Sequence, residues 1–153
     1  MTQAPATLRP HLLSPDNFTP ANRTPWGGRR ICAKYKTALN IAAELAAQPV
    51  GEAWELSFGP ELPSRTIDGV WLRDLVGHDR ERYLGREAAQ GASALLVKWL
   101  DAADDLSVQI HPSVDDPDLR DAETGKPECW YIVDHEPGAG IYLGLQPGVN
   151  AAG

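Results

Sequence analysis

The chain has few cysteines and lacks long apolar runs, and each of these features argues against a particular class of protein. The 153 residues include two cysteines, Cys32 and Cys129, which are too few and too far apart for a disulfide framework. No apolar run approaches the roughly 20 residues needed to cross a bilayer. Residues 1–10 are polar and interrupted by proline, unlike the basic-then-apolar start of a signal peptide. We therefore expect a cytoplasmic protein.

Basic residues are also in deficit. The chain has 14 lysines and arginines against 21 aspartates and glutamates, which gives a formal net charge of −7. Because nucleic acids bind to basic surfaces, no nucleic-acid partner is expected. A phosphorylated ligand would have to be attracted by a few local cations, since the overall field of the protein repels it.

Turn-forming residues, in contrast, are abundant. The chain contains 14 glycines and 13 prolines, where average usage gives about 18 of the two together. The excess favours a β-rich domain over a helical bundle. The length suits one compact domain, so we predict that residues 1–153 form a single domain.

The first two thirds of the chain predict short elements separated by breaks. After a Pro-rich lead-in over residues 1–30, the Ala-rich segment 37–48 predicts a short helix that ends at Pro49. Residues 51–57 predict a strand. Residues 69–90 predict short helices, with breaks at Gly77, Gly85 and Gly91. The apolar run 95–100 fits a strand or a helix equally well.

The segment 106–111, LSVQIH, alternates strictly between apolar and polar residues. On a strand, Ser107, Gln109 and His111 would share one polar face, and the apolar residues would share the other. Residues 128–133 and 140–145 predict two further strands, and an acidic, Pro-containing loop covers 112–125. Several β segments at close spacing predict a sandwich or barrel.

The polar face of this predicted strand contains candidate metal ligands. Gln109 and His111 would lie about 6–7 Å apart at Cα, given a rise of ~3.3 Å per residue, and could converge on one cation. Glu128 could add a carboxylate from a neighbouring strand. An amide oxygen, an imidazole and a carboxylate suit zinc or another first-row divalent ion. On spacing alone, an ordinary structural His-Pro pair is the commoner explanation.

Several motifs in a fixed order resemble those of one enzyme family. SVQIHP at 107–112, followed by GKPECWY at 125–131, resembles the paired signature of type I mannose-6-phosphate isomerases. Other segments resemble family motifs in the same order: WGG at 26–28, GEAWELS at 51–57, KWLDA at 98–102 and IYLGL at 141–145. The resemblance implies a mainly β cupin-type jelly roll, here incomplete, with a few short helices.

The resemblance also implies an activity and the residues that perform it. Such enzymes interconvert mannose 6-phosphate and fructose 6-phosphate with the help of zinc. The first signature segment gives a Gln and a His to the metal and the second gives a Glu, which correspond to Gln109, His111 and Glu128 here. Lys126 would be a catalytic cation near the sugar, although an ordinary turn lysine is the alternative.

Two further residues would bind substrate in this family pattern. Lys98 would be a second cation in the cleft, serving the phosphate, and Ser107 would hydrogen-bond to the sugar. Alternatively, Lys98 is a lysine at a strand edge whose ammonium group extends into water. Ser107 would then be an ordinary polar residue on the solvent-exposed face of a strand. Glu52 and Glu55 fit either a supporting role near the site or ordinary ion pairs.

The chain also departs from the family pattern. Family members are considerably longer and take a fourth ligand, a histidine, and a catalytic arginine from later segments that have no counterpart here. The sequence therefore also allows a non-catalytic, truncated cupin module that binds a sugar phosphate or a partner chain. A half cupin would expose sheet edges and apolar surface, which favours self-association. An iron oxygenase fits less well, because the metal motif contains one histidine.

Overall fold

A computed structural model of the protein describes residues 9–90, 93, 95–120, 125–144 and 146–149. Contacts along the chain separate two units, of which the first ends at Ser107 and the second begins at Val108. The helices and strands of the described residues all belong to the first unit. None of the described helices has both the length and the apolar character required to cross a membrane.

The first unit contains an antiparallel sheet of two strands, β1 over Glu52–Leu56 and β2 over Val97–Leu100. Ala53 is opposite Trp99 and Trp54 is opposite Lys98, and the register shifts between Trp54 and Leu56. The strand predicted over 51–57 is therefore confirmed. The run 95–100, for which the sequence allowed either state, forms a strand in its second part.

Part of the Pro-rich lead-in pairs with the other edge of β1. Phe18 forms an antiparallel bridge with Ala53. Next to it, the backbone amide of Thr19 donates to the carbonyl of Glu52 over 3.0 Å. These bonds satisfy backbone groups of β1 that would otherwise lie at an open sheet edge.

Two glycines of the WGG motif allow backbone segments to approach closely. A Cβ added at Gly27 would lie 2.5 Å from the backbone nitrogen of Gly51, and one added at Gly28 would overlap the carboxylate of Asp101. That carboxylate is buried and accepts a hydrogen bond of 2.6 Å from the backbone amide of Arg30. Glycine at these positions thus lets the motif pack against the residues directly before β1 and directly after β2.

The helices of the described residues are short: Ile31–Tyr35, which is π-helical, Ala43–Ala46, Leu72–His78, Arg80–Leu84 and the 3₁₀ helix Gly85–Gln90. The predicted short helices over 69–90 are confirmed, with a break at Gly85, whose φ is +54°. Gly77 lies inside a helix instead of ending one, and Gly91 lies outside the described residues.

The helix predicted over 37–48 is limited to Ala43–Ala46. The N-cap residue, Ala42, has no side chain that can accept a capping hydrogen bond, and none of the four helical residues is buried. A helix this short gains little from backbone hydrogen bonds alone, so its length is decided by packing and capping. The high helix propensity of alanine is therefore not enough to extend it.

A small apolar core lies between the sheet and the first helix. Its buried members are Ile31, Cys32, Val50 and Ala53, and the partly buried Phe18, Ile41, Ala46 and Trp99 pack against them. Trp99 also stacks on the ring of Tyr35, with centroids 5.0 Å apart. Burial raises the pKa of the Cys32 thiol, which keeps this residue in its neutral form within the core.

The strands that the sequence predicts over 106–111, 128–133 and 140–145 are wrong. The described residues of these ranges form no strand, and Leu145 lies outside the described part. Apart from the half-buried Leu106, the apolar side chains of these segments are open to solvent, as with Val108 at 84%, Ile110 at 82% and Leu143 at 94% exposure. A strand becomes stable when a neighbour covers its apolar face, and these faces are uncovered. The mainly β jelly roll is therefore not confirmed.

Candidate metal centre

His111 and Glu128 lie side by side in the second unit. The imidazole Nε2 of His111 is 3.0 Å from Oε2 of Glu128, and the two side chains are 30% and 26% exposed. An imidazole nitrogen and a carboxylate oxygen are two of the ligand types that zinc takes in proteins. With metal–ligand bonds of ~2.0–2.2 Å, two ligands of one ion lie roughly 3.0–3.5 Å apart. The observed spacing is that of a hydrogen bond between the two groups, and it is also compatible with a shared divalent ion.

Lys126 joins this pair. Its Nζ lies 3.4 Å from Nε2 of His111 and 3.5 Å from Oε2 of Glu128. The lysine side chain is 45% exposed, so the ammonium group can reach solvent or a ligand. His111, Lys126 and Glu128, which the family pattern marks as functional, thus lie in contact with one another. The cation of Lys126 lies next to the carboxylate of Glu128.

Gly125 brings the two segments of this centre together. It is buried, and a Cβ added there would lie 2.5 Å from the carbonyl carbon of Ser113 and would overlap the backbone of Val114. Backbone atoms cannot move aside as a flexible side chain can, so the close approach requires glycine. The predicted turn and strand pattern does not indicate this role. The available signal was a glycine directly before Lys126 in the signature segment.

Gln109, the third predicted ligand, lies two residues before His111 and is exposed. Within the described part of the chain, no group of three or more His, Cys, Asp and Glu side chains could hold a metal ion. The centre predicted from the sequence takes the amide oxygen of Gln109 in addition to His111 and Glu128. Its participation stays a prediction.

Lys98 and Ser107 belong to the first unit. Ser107 is exposed. The Nζ of Lys98 donates to Oε1 of Glu52 over 2.9 Å, and the indole Nε1 of Trp54 donates to Oε2 of the same carboxylate over 2.7 Å. Of the two roles that the sequence left open for Glu52, the structure shows an ion pair, and its partner is a predicted substrate-binding residue.

Glu55 forms a different ion pair. Its carboxylate lies against the ammonium of Lys36, which is only 4% exposed. Lys36 also donates to the carbonyl of Pro15 over 2.6 Å. This pair ties the lead-in segment to the sheet.

Comparison with known proteins identifies a family that covers most of the chain. The family described as phosphomannose isomerase type I, catalytic domain, matches residues 19–144. This range includes His111, Lys126 and Glu128, and also Lys98 in the first unit. No solved structure gives a significant match.

Curated proteins of similar sequence have names that agree with this family. The mannose-6-phosphate isomerase of Streptococcus mutans is 32% identical over 123 residues, which cover 78% of this chain and 36% of that protein. The probable mannose-6-phosphate isomerase GmuF of Bacillus subtilis is 36% identical, with coverage of 78% and 37%. The putative isomerase YvyI of the same organism is 30% identical, with coverage of 94% and 42%. The chain thus spans less than half the length of these relatives.

Proposed function

The chain belongs to the type I phosphomannose isomerase family, and from this we propose that the protein is a metal-dependent isomerase of mannose 6-phosphate and fructose 6-phosphate. The observation that supports the proposal most directly is the 3.0 Å approach of His111 Nε2 to Glu128 Oε2. The family match over residues 19–144 favours this activity over a non-catalytic sugar-binding module.

The proposed reaction moves a proton between two adjacent carbons of the sugar through an enediol. Its difficult step is the removal of a weakly acidic proton next to a carbonyl group. A bound divalent cation would hold the sugar oxygens and stabilise the negative charge that develops on them. Gln109, His111 and Glu128 would hold this ion, and zinc suits their mixture of nitrogen and oxygen donors.

We assign the proton-transfer chemistry near this centre to Lys126. Its ammonium lies within 3.5 Å of both His111 and Glu128, and its side chain is accessible. From there it could donate a proton to a developing alkoxide or stabilise the enediolate by its charge. A methionine at this position would have a similar length but neither a proton nor a charge to offer.

Substrate binding is assigned to Lys98 and Ser107. Lys98, in the first unit, would bind the substrate through its ammonium group. Ser107, the last residue of the same unit, would bind it through an exposed hydroxyl group.

We also propose a cytoplasmic location and self-association. The first is supported by the two cysteines, which are both free: Cys32 is buried and Cys129 is exposed. The second is supported by the apolar side chains that the second unit exposes, among them Ile110 and Leu143.

A coupled isomerase assay combined with elemental analysis tests the proposed function. The chain, and any longer form of it, would be assayed with mannose 6-phosphate as purified, after treatment with a chelator, and after zinc is returned. We expect turnover that is lost with the metal and restored by zinc. Stoichiometric zinc without turnover in every form would exclude the isomerase and leave the non-catalytic module.

A further inference from the structure

Lys98 and Glu52 form a partly buried pair on one face of the sheet. Lys98 is opposite Trp54 across the two strands, and Glu52 lies two residues before Trp54 on β1, so the three side chains share a face. The side chains of Lys98 and Glu52 are 19% and 14% exposed. Both charges are largely withdrawn from water, yet each remains partly accessible.

The carboxylate of Glu52 is held at both of its oxygens. Oε1 accepts from the Lys98 ammonium over 2.9 Å, and Oε2 accepts from the Trp54 indole over 2.7 Å. The indole ring is part of the sheet face and therefore fixes the direction of the carboxylate. The carboxylate in turn fixes the end of the long, flexible lysine side chain, which would otherwise sample many rotamers.

The pairing changes which ligand Lys98 can attract. An incoming anion that touches the ammonium lies about twice as far from the carboxylate behind it, so the repulsion cancels about half of the attraction. The hydroxyl group of a sugar carries no charge and is not repelled. It both donates and accepts hydrogen bonds, and the pair offers an N–H donor and a carboxylate acceptor side by side.

We infer that the Lys98–Glu52 pair binds hydroxyl groups of the sugar instead of its phosphate, with Glu52 as the residue that positions Lys98. The substrate class rests on the proposed function, whereas the preference of the pair for a neutral polyol follows from its own charges. The phosphate role that the family pattern suggests for Lys98 is thereby replaced by recognition of the sugar ring.

Chemical modification of Lys98 tests this inference without relying on turnover. The zinc-loaded chain would be treated with an amine-acetylating reagent, and acetylation of Lys98 would be measured by peptide mass spectrometry. Mannose and inorganic phosphate would be compared as protecting ligands at equal concentrations. We expect mannose to protect Lys98 better than phosphate does in the wild-type protein.

Glu52→Gln removes the charge and keeps the size of the side chain. We expect Lys98 acetylation to rise about fivefold as the ion pair is lost, and phosphate to become the better protecting ligand. Glu61→Gln is the matched control, since Glu61 forms an exposed ion pair of 2.8 Å with Arg23; it should change neither result.

Trp54→Phe distinguishes the positioning of the Glu52 carboxylate from the effect of its charge. It removes the indole donor but keeps both ionic groups, so acetylation should rise less than in Glu52→Gln and mannose should stay the better protecting ligand. The inference is overturned if phosphate protects Lys98 better in the wild type, if neither ligand protects it, or if Glu52→Gln leaves the order of the two ligands unchanged. A failure of the proposed function would appear separately, as absent isomerisation with these protection results intact.

Discussion

The imidazole Nε2 of His111 lies 3.0 Å from the carboxylate Oε2 of Glu128, although an acidic stretch of sequence separates the two residues in the chain. The ammonium of Lys126 approaches both atoms within 3.5 Å. The segments that carry these residues meet where Gly125 packs on the backbone of Ser113 and Val114. The candidate centre therefore depends on one backbone contact as well as on the chemistry of its side chains.

Gly125→Ala should weaken metal binding without removing any ligand. The new Cβ would require the backbone of the two segments to separate, which moves Glu128 away from His111. We expect a loss of about 10–100-fold in zinc affinity, the range seen when groups that orient ligands are altered. Competition with a fluorescent zinc chelator measures this affinity.

The matched control for this substitution is Gly140→Ala. A Cβ at Gly140 meets no atom within 4 Å, so the variant should bind zinc as the wild type does. Equal zinc affinity in Gly125→Ala and Gly140→Ala would show that the close approach at Gly125 does not position the centre.

Lys126→Met should lower turnover while zinc stays bound. The substitution removes a charge beside the centre but none of the proposed ligands, and loss of a group that transfers a proton costs roughly 10²–10⁴-fold in rate. Steady-state kinetics and elemental analysis on the same preparation separate the two effects. Lys34→Met, at an exposed lysine of the first helix, serves as control. Turnover in Lys126→Met equal to that of the control would remove the catalytic role.

Asp16 should make the stability of the first unit depend on acidic pH. The Ser14 hydroxyl donates to its carboxylate over 2.5 Å, and this bond, followed by the guanidinium of Arg65, holds the pKa of Asp16 below 3.8 against the opposing effect of burial. Because the pKa is lower in the folded than in the unfolded state, the stabilisation is complete above the unfolded value and is lost as the pH falls through the folded one.

The substitution Asp16→Asn measures this contribution. We expect a loss of about 1–2 kcal/mol in the free energy of unfolding at pH ~7, toward the lower end of the range for hydrogen bonds to a charged group because the Asp16 side chain is 25% exposed. The difference from the wild type should shrink at about pH 3, because the unfolded chain takes up a proton below 3.8 while the lowered pKa of Asp16 makes the folded protein resist it. Urea titrations at both pH values give the two differences, and the exposed Asp68→Asn is the control. A difference that does not change with pH would contradict the explanation that Ser14 and Arg65 stabilise the charged form of this carboxyl group.

The sequence predicted local features of the first unit well. Strand β1 follows from the apolar and aromatic residues of 51–57 between glycine breaks, and the helices of 69–90 follow from their helical spacing. The sequence could not predict that Lys98 faces Glu52, because cross-strand partners depend on the register of two distant segments. The ion pair between Lys98 and Glu52 is determined by that register, and neither strand predicts it alone.

The second unit shows the limit of alternation as a signal. LSVQIH at 106–111 has the ideal pattern for a half-buried strand, yet Val108 and Ile110 are exposed and the segment is not a strand. Alternation reports which face a strand would bury, whereas the strand itself requires a neighbour to bury it against. The contact between His111 and Glu128 agrees with the family motifs, and it is present although the predicted strands are not.

The most direct test of the metal centre is the zinc content of His111→Ala and Glu128→Ala, measured by elemental analysis after dialysis against a weak chelator. The centre described here predicts that each variant loses its tightly bound zinc, with an affinity at least about 100-fold lower. His135→Ala, at an exposed histidine of the same unit, should keep the wild-type content. Stoichiometric zinc retained in either His111→Ala or Glu128→Ala would contradict the assignment of these two residues as ligands.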